Sequence, residues 1–475
     1  MTDSERCHQG ERVDVVVIGA GLSGLVVAHT LRDAGFSVVT VEASDRAGGV
    51  LGTRERDGYR YETAANSALD DGRTFAPLLG ALGIAGQRID ASPRASKRFV
   101  VRDGRLQPLP TSPPALLTNT TFSARARFRL LREPFIARAP RDAEESVAAF
   151  ARRRLGEEWL DYAIDPFVSG VHAGDPESLS LRAAFPRLHA LEQAHGSLLL
   201  GQVRRARERG RAPSPKSFSF KAGMRTLTDA LAARVDVITS TRAALVSQER
   251  GGYAVELAGP RGSQRLHSCS VVIATAADAA AALVEPLSPR AARQLAAIVY
   301  APVAIVVAAY RREDVEHPLD GFGFLVPWRE RRPLLGTLFS STMFEGRAPS
   351  GRVLLTTFVG GQRNPAMAAM DDASLREIVG RELTALLGAR NVEWMDVVRW
   401  PRAIPQYTLG HEQRVATIDD AMAPFPGLFI SANWRGGVSL ADCIVRSGRT
   451  ASAVEAFLGR PAPDAVSPPK GSIAR

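Results

Sequence analysis

The chain has 475 residues, 45% hydrophobic and 23% charged, with a formal net charge of +10. Such proportions exclude a disordered chain and describe a globular protein too long for one ordinary core. No run approaches the roughly 18 uninterrupted apolar residues of a membrane-spanning helix. Cys7, Cys269 and Cys443 stand far apart without a CxxC pair, which excludes a disulfide framework and a cysteine-based metal centre.

The opening MTDSERCHQGER has no apolar core of a secretory signal and reads as a flexible arm. Residues 13–49, VDVVVIGAGLSGLVVAHTLRDAGFSVVTVEASDRAGG, then give a buried strand to Ile18, GxGxxG at Gly19, Gly21 and Gly24, a helix over 22–34 and a second strand over 36–41. This order is a βαβ dinucleotide-binding unit. Gly19 makes the tight turn, Gly21 lets the backbone approach a pyrophosphate, and Gly24 lets helix and strand pack closely. The helix then offers the positive end of its dipole to phosphate. Glu42 ends the second strand, where it accepts ribose hydroxyls and disfavours a 2′-phosphate. The bare motif leaves FAD and NAD both open.

Residues 105–215 are helical and rich in arginine. Phe128, Leu131 and Phe135 recur at helical spacing among Arg125, Arg127, Arg129 and Arg132. The expected role of that stripe is a packing face with a solvated basic side; the rival role is to lie on an anionic membrane. The basic charge also suits acidic small molecules, although arginine-favouring codon usage accounts for it without a partner. Zinc-finger spacing and RNA-binding aromatic signatures are absent, so nucleic acid is the weakest partner. Low cysteine use points to a reducing cytoplasm.

Within this insertion, IDPFVSGVHAGDPESLS (164–180) holds too many turn residues for any long element. A helix and short strand follow over 223–246, and a buried strand over 271–275. Four segments between 301 and 360, bounded by Gly, Pro or charge, read as an antiparallel sheet. A helix at about 371–388, a strand at 428–431 and a glycine turn opening a last helix complete the chain.

EASDRAGG resembles the second fingerprint of the FAD-dependent amine oxidase superfamily, which settles the expected cofactor as FAD. The resemblance implies that Ala20, Leu22, Ser23, Ala43, Arg46, Gly48, Gly49 and Val50 join the three glycines and Glu42 around it. IDPFVSGVHAGDPESLS in turn resembles a segment of the protoporphyrinogen IX oxidase family. So do KRFVVRDGRLQPLP, GFGFLVP, LLGTLFSSTMF, TTFVGG, RWPRAIPQYTLGH and NWRGGVS, in the same order over nearly the whole chain.

That likeness implies Gly170 with its carbonyl toward the pyrrole nitrogens, where glycine keeps no Cβ between backbone and a plate-like substrate. It implies Arg98 on a propionate, which guanidinium meets through paired charge-assisted hydrogen bonds. Leu325, Leu338 and Phe358 would sandwich the macrocycle, although each also reads as a strand core residue. Ala64, Ala65, Asn66, Ser67, Trp400, Val438, Ser439 and Leu440 would meet the flavin, Asn66 closest to the chemistry, and Ala243 would present backbone to adenine. No metal and no Ser/His/Asp constellation is expected, and His172 and His411 read as structural.

The expected fold is α/β: a discontinuous Rossmann-like FAD-binding domain (13–104, 216–300, 391–460), an antiparallel-sheet substrate domain (301–390) and a helical insertion (105–215) able to reach a membrane. Flexible ends are expected at 1–12 and 461–475. The implied activity is oxidation of protoporphyrinogen IX, with dioxygen reduced to hydrogen peroxide, by a cytoplasmic monomer or homodimer peripheral to the inner membrane face. Two departures stand out. ETAANS (62–67) lacks the family's Gly-Pro turn at Ala64 and Ala65, and Ala432 adds a methyl where the family has glycine and asparagine adjacent. Rival substrates are therefore coproporphyrinogen III or another apolar molecule taken up by a recruited paralogue; a flavin-free scaffold is the rival outside enzymes.

Overall fold

The computed structural model describes residues 12–70, 72–110, 121–140, 143–209, 216–260 and 262–459, without the side chains of 203 and 205–209. The expected tail and all but the last residue of the arm lie outside them; Arg12 opens the first strand.

Side-chain alternation decides the first layer. In Arg12–Ile18, Val15 and Val17 point to one face and Val16 and Ile18 to the other, all buried. Such a strand must be covered on both sides, as central parallel strands are. Val38–Val41 and Gly262–Ile273 flank it in parallel, with Asp236–Ile238 and Leu428–Ile430 beyond them. Gly252–Gly259 and Arg242–Glu249 extend Gly262–Ile273 as an antiparallel ribbon. Leu25, Leu31, Leu227 and Val454 from three helices cover one face; Ala280, Val284, Leu295 and Ile418 cover the other. The sheet thus gathers strands from widely separated stretches of chain.

The second sheet runs Trp394–Pro405, Tyr300–Arg311, Arg352–Gly360, Leu334–Leu338, Gly321–Leu325, Lys97–Arg102, Arg105–Pro108. Tyr300–Arg311 is apolar on both faces for the same reason as the first strand: Ala304, Val306 and Ala308 face one cluster, Val303, Ile305 and Val307 the other. Helix Asp372–Leu387 lays Leu375, Val379, Leu383 and Leu387 on the first of these faces. Asp371 caps its start by accepting from Ser374 N at 2.9 Å, and Gly388 ends it at φ 63°. The opposite face looks toward Tyr59, Tyr61 and the helical insertion.

Three expectations change here. The boundaries at 104/105 and 390/391 fall at elements of this second sheet: Lys97–Arg102, Arg105–Pro108 and Trp394–Pro405 all belong to it, because edge strands are recruited from distant chain. The Phe128, Leu131 and Phe135 stripe is not a packing face; these residues are 64%, 51% and 89% exposed. The covered side of helix Ala124–Leu131 is Ala126 and Leu130, against Phe122, Trp159 and Tyr162. Of its basic side, Arg125 and Arg132 are exposed, but Arg127 and Arg129 are half-buried, Arg129 donating to Arg153 O at 2.8 Å. Arg154 is fully buried between Glu133 (3.1 Å) and Glu192 (2.6 Å), also fully buried, and it fastens three segments of the insertion.

Candidate functional site

The carboxyl ends of the parallel strands line up as Ile238, Val41, Ile18, Ile273 and Ile430. Ligands of open α/β sheets bind along that edge. Gly19 turns there at φ 103°, with Ala274 O only 2.7 Å from where a Cβ would stand. A Cβ on Gly24 would lie 1.9 Å from Gly19 O, so only glycine lets the helix start so close to the strand. Gly21 caps helix Leu22–Asp33 without a side-chain bond, and the first turn holds no acid. Its N–H groups remain available to a phosphate. Gly49, at φ 58°, stacks on Gly21, its Cβ position 3.0 Å from Gly21 Cα; the two fingerprints form one surface. Arg46 braces that surface through the carbonyls of Ala47, Gly49 and Leu51. Gly48 turns beside it at φ 110°, while Ala43 and Val50 are exposed.

At one end of the surface, Glu42 accepts from Ala20 N (2.8 Å) and from Ser44, and Thr241 N donates to the Glu42 carbonyl. Ala243 is the second residue of the next strand there. At the other end, Leu22, Ala65 and Leu440 pack on the same core, and burial pushes Cys443 up to about 11 beside Ser23. Ser439 caps helix Leu440–Leu458 by accepting from Asp442 N (3.1 Å), with Val438 preceding it after Gly436 and Gly437 at positive φ.

Trp400 Nε1 donates to Thr63 O at 2.6 Å and pins the 63–67 segment, where Asn66 Nδ2 donates to Ala64 O (3.2 Å) and Ser67 is half-buried. Neither Ala64 nor Ala65 has positive φ, so the turn is reached without the missing Gly-Pro. Ala432 is buried in the core with Ile273 and Trp434. Two sheet-ward ends joined by an open glycine surface and a free helix start fit a dinucleotide flavin.

The second sheet adds an apolar wall. Strand pairing puts Arg98, Gly323 and Leu338 in one cross-strand row, and Leu325, Gly336, Phe358, Ile305 and Val398 in the next. Trp400 opposes Val303 two residues along, so all these residues share one face with the tryptophan that reaches Thr63 O. Two glycines are required. A Cβ on Gly323 (φ 147°) would meet Thr337 O at 2.2 Å, and one on Gly336 would meet Phe324 O at 2.6 Å. Gly170 faces this wall from helix Asp165–His172; its Cβ position is 2.6 Å from Leu325 Cδ2. Gly170 sits in the last helical turn, where carbonyls have no intrahelical donor. The expectation that this run sustains no long element holds for eight residues, until Ala173 ends the helix at φ 47°.

The guanidinium of Arg98 lies over the Phe322 ring, 4.9 Å from its centroid, and has no acidic partner among the described residues. Burial lowers His172 and His411 to about 4, so both are neutral near pH 7; His411 spends Nε2 on Trp434 O. Sequence reasoning missed Arg363, which joins the two aspartates of the IDP and GDP pairs, and the buried pair Glu62–Arg347 (3.0 Å) behind the 63–67 segment. The only signal for the first was that both aspartates precede proline in one motif.

The family model of flavin-containing amine oxidoreductases matches residues 22–454. The chloroplastic protoporphyrinogen oxidase of Nicotiana tabacum is 35% identical, over 94% of this chain and 86% of its own. A coproporphyrinogen III oxidase of Bacillus subtilis (strain 168) is 26% identical, over 90% and 95%. Among solved structures, one from Exiguobacterium sp. 255-15 superposes with a TM-score of 0.80 at 21% identity, over 94% of this chain and 99% of its own. Cyclohexylamine oxidase from Brevibacterium oxydans IH-35A gives 0.69 at 17% identity, over 95% and 100%. The chain belongs to the flavin-containing amine oxidoreductase family, among its porphyrinogen oxidases, and is an FAD-dependent oxidoreductase.

Proposed function

We propose that the protein oxidises protoporphyrinogen IX to protoporphyrin IX, removing six hydrogens in three two-electron steps while three dioxygen molecules become hydrogen peroxide. Bound FAD supplies the hydride acceptor for each step. The observation that carries the reading is the single sheet face bearing Arg98, Leu338, Leu325 and Phe358, set against Gly170 and ending at Trp400. Aliphatic and aromatic walls suit a large apolar plate, and holding it edge-on to the flavin is the protein's main task. Arg98, stacked on Phe322 and without an acidic partner among the described residues, offers its guanidinium to a propionate. A substrate with four propionates asks for more cations than this face supplies, and the relatives named for protoporphyrinogen are more identical than those named for coproporphyrinogen.

Peripheral attachment to the inner face of the cell membrane belongs to the same proposal. It is supported by exposed Phe128, Leu131 and Phe135 rimmed by arginines. Serine at all three positions is expected to abolish sedimentation with anionic vesicles and leave activity in detergent intact.

The deciding experiment reduces the flavin-loaded enzyme anaerobically with each porphyrinogen in turn, then admits air. Bleaching at the flavin band by protoporphyrinogen, with porphyrin fluorescence after air, supports the reading. Faster bleaching by coproporphyrinogen reassigns the substrate, and inactivity on both removes porphyrinogens altogether.

A further inference from the structure

Arg363 takes no part in the reading above, yet it touches both ends of the element that carries Gly170. It follows the Arg352–Gly360 strand of the substrate sheet by three residues. Its Nη2 pairs with Asp165 Oδ1, and its Nε with Asp175 Oδ1 at 3.3 Å. Asp165 is the first residue of helix Asp165–His172, and Asp175 lies just past its end. The second carboxylate oxygen of Asp165 accepts from Trp328 N at 2.8 Å, and the Arg363 guanidinium lies over the Trp328 ring. One largely buried cation therefore bridges the helix start, the helix end and two loops of the sheet.

The helix needs such support. A π-helical turn, Leu160–Ile164, precedes it, and a non-glycine residue in the left-handed region ends it. Both conformations are less favourable than ordinary helix. Two further bonds pin the far end: Gln362 N donates to Ala173 O (2.7 Å) and Gln406 Nε2 to His172 O (2.8 Å). These bonds come from neighbours of Arg363 or from the flavin-side strand end, so the helix is placed by tertiary contacts and not by its own eight residues.

We infer that Arg363 is a positioning residue that locks helix Asp165–His172 over the substrate sheet and so sets the gap between Gly170 and Leu325. The inference rests on the proposed porphyrinogen reading of that gap. Asp165 and Asp175 are its two anchors, which gives the IDP and GDP pairs of the motif a shared partner.

The test compares FAD-loaded wild type with Arg363→Met and Asp175→Asn. Amide exchange across 165–175 is expected to be about tenfold faster in Arg363→Met, because the helix loses its clamp. Its KM for protoporphyrinogen and Kd for protoporphyrin are expected to rise about tenfold, while flavin reduction at saturating substrate stays within about twofold. The flavin spectrum stays that of wild type. Asp175→Asn keeps the Asp165 pair and is expected to show smaller changes of the same sign, about threefold, and it serves if Arg363→Met does not fold. Unchanged exchange, or faster exchange with unchanged KM and Kd, overturns the inference. A wild type that binds no porphyrin separately overturns the substrate reading, and with it the role given to the gap.

Discussion

Replacing Gly170 with alanine separates the needs of the helix from those of the pocket. Gly170 has ordinary helical φ, so alanine gains about 1 kcal/mol of helix stability. The new Cβ would stand 2.6 Å from Leu325 Cδ2, closer than side chains tolerate, while its 3.6 Å to Cδ1 is an ordinary contact. Leu325 is half-buried at a strand end, and turning it off its rotamer costs about 1 kcal/mol. The two effects nearly cancel, and the melting temperature is expected to move by no more than about 2–4 °C. The pocket has no such compensation, because the methyl group and the displaced leucine both enter the space a flat macrocycle needs. Overpacking of about 1–3 kcal/mol corresponds to a fall of roughly 5- to 150-fold in kcat/KM. The assay is porphyrin fluorescence on the flavin-loaded protein, with melting followed in parallel. A kcat/KM within about twofold of wild type, with an unchanged melting temperature, would refute the idea that Gly170 lines the substrate.

Arg98→Ala is expected to raise KM for protoporphyrinogen by roughly 10- to 150-fold, the worth of a charged hydrogen bond of about 1.5–3 kcal/mol, with Arg98→Lys between the two; an unchanged KM removes Arg98 from the site. Arg347→Met leaves Glu62, whose carboxyl burial already pushes up, without its cation, and urea unfolding is expected to show a loss of about 3–5 kcal/mol. A loss below about 1 kcal/mol would mean the pair is dispensable. His172 and His411 titrate near 6.5 when unfolded and at about 4 when folded, so the unfolded chain binds more protons between those values. Stability is therefore expected to fall as pH drops from about 6.5 to 4, by up to about 3 kcal/mol per histidine. Urea midpoints at pH 7, 5.5 and 4.5 measure this, and the slope should flatten when both histidines become glutamine; a slope that persists in that variant places the proton uptake elsewhere.

The parts of this molecule that were legible in the sequence are those whose chemistry is local. Gly19 needs a positive φ and Gly24 a missing Cβ, and Glu42 follows them by one helix and one strand, so the glycine surface could be written down before any fold was known. The apolar wall of the second sheet could not be built from residue types alone. Which side chains of Gly321–Leu325 and Leu334–Leu338 share a face depends on register shifts at Gly321/Gly323 and Leu334/Gly336, and a shift of one residue reverses every assignment. Arg363 is invisible for a related reason: its anchor Asp165 lies 198 residues away, and in so arginine-rich a chain no spacing marks one guanidinium. The Phe128 stripe shows that periodicity identifies an amphipathic helix without saying which side is covered, since Ala126 and Leu130 pack while Phe128, Leu131 and Phe135 stay out. The Ala64–Ala65 departure shows the converse. Its sequence removes the residues that usually force the turn, yet the indole of Trp400, from a strand of the other sheet, holds Thr63 O in place. A turn fixed by a tertiary hydrogen bond is only as secure as its donor, so the departure transfers the security of the 63–67 segment from local backbone preference to Trp400.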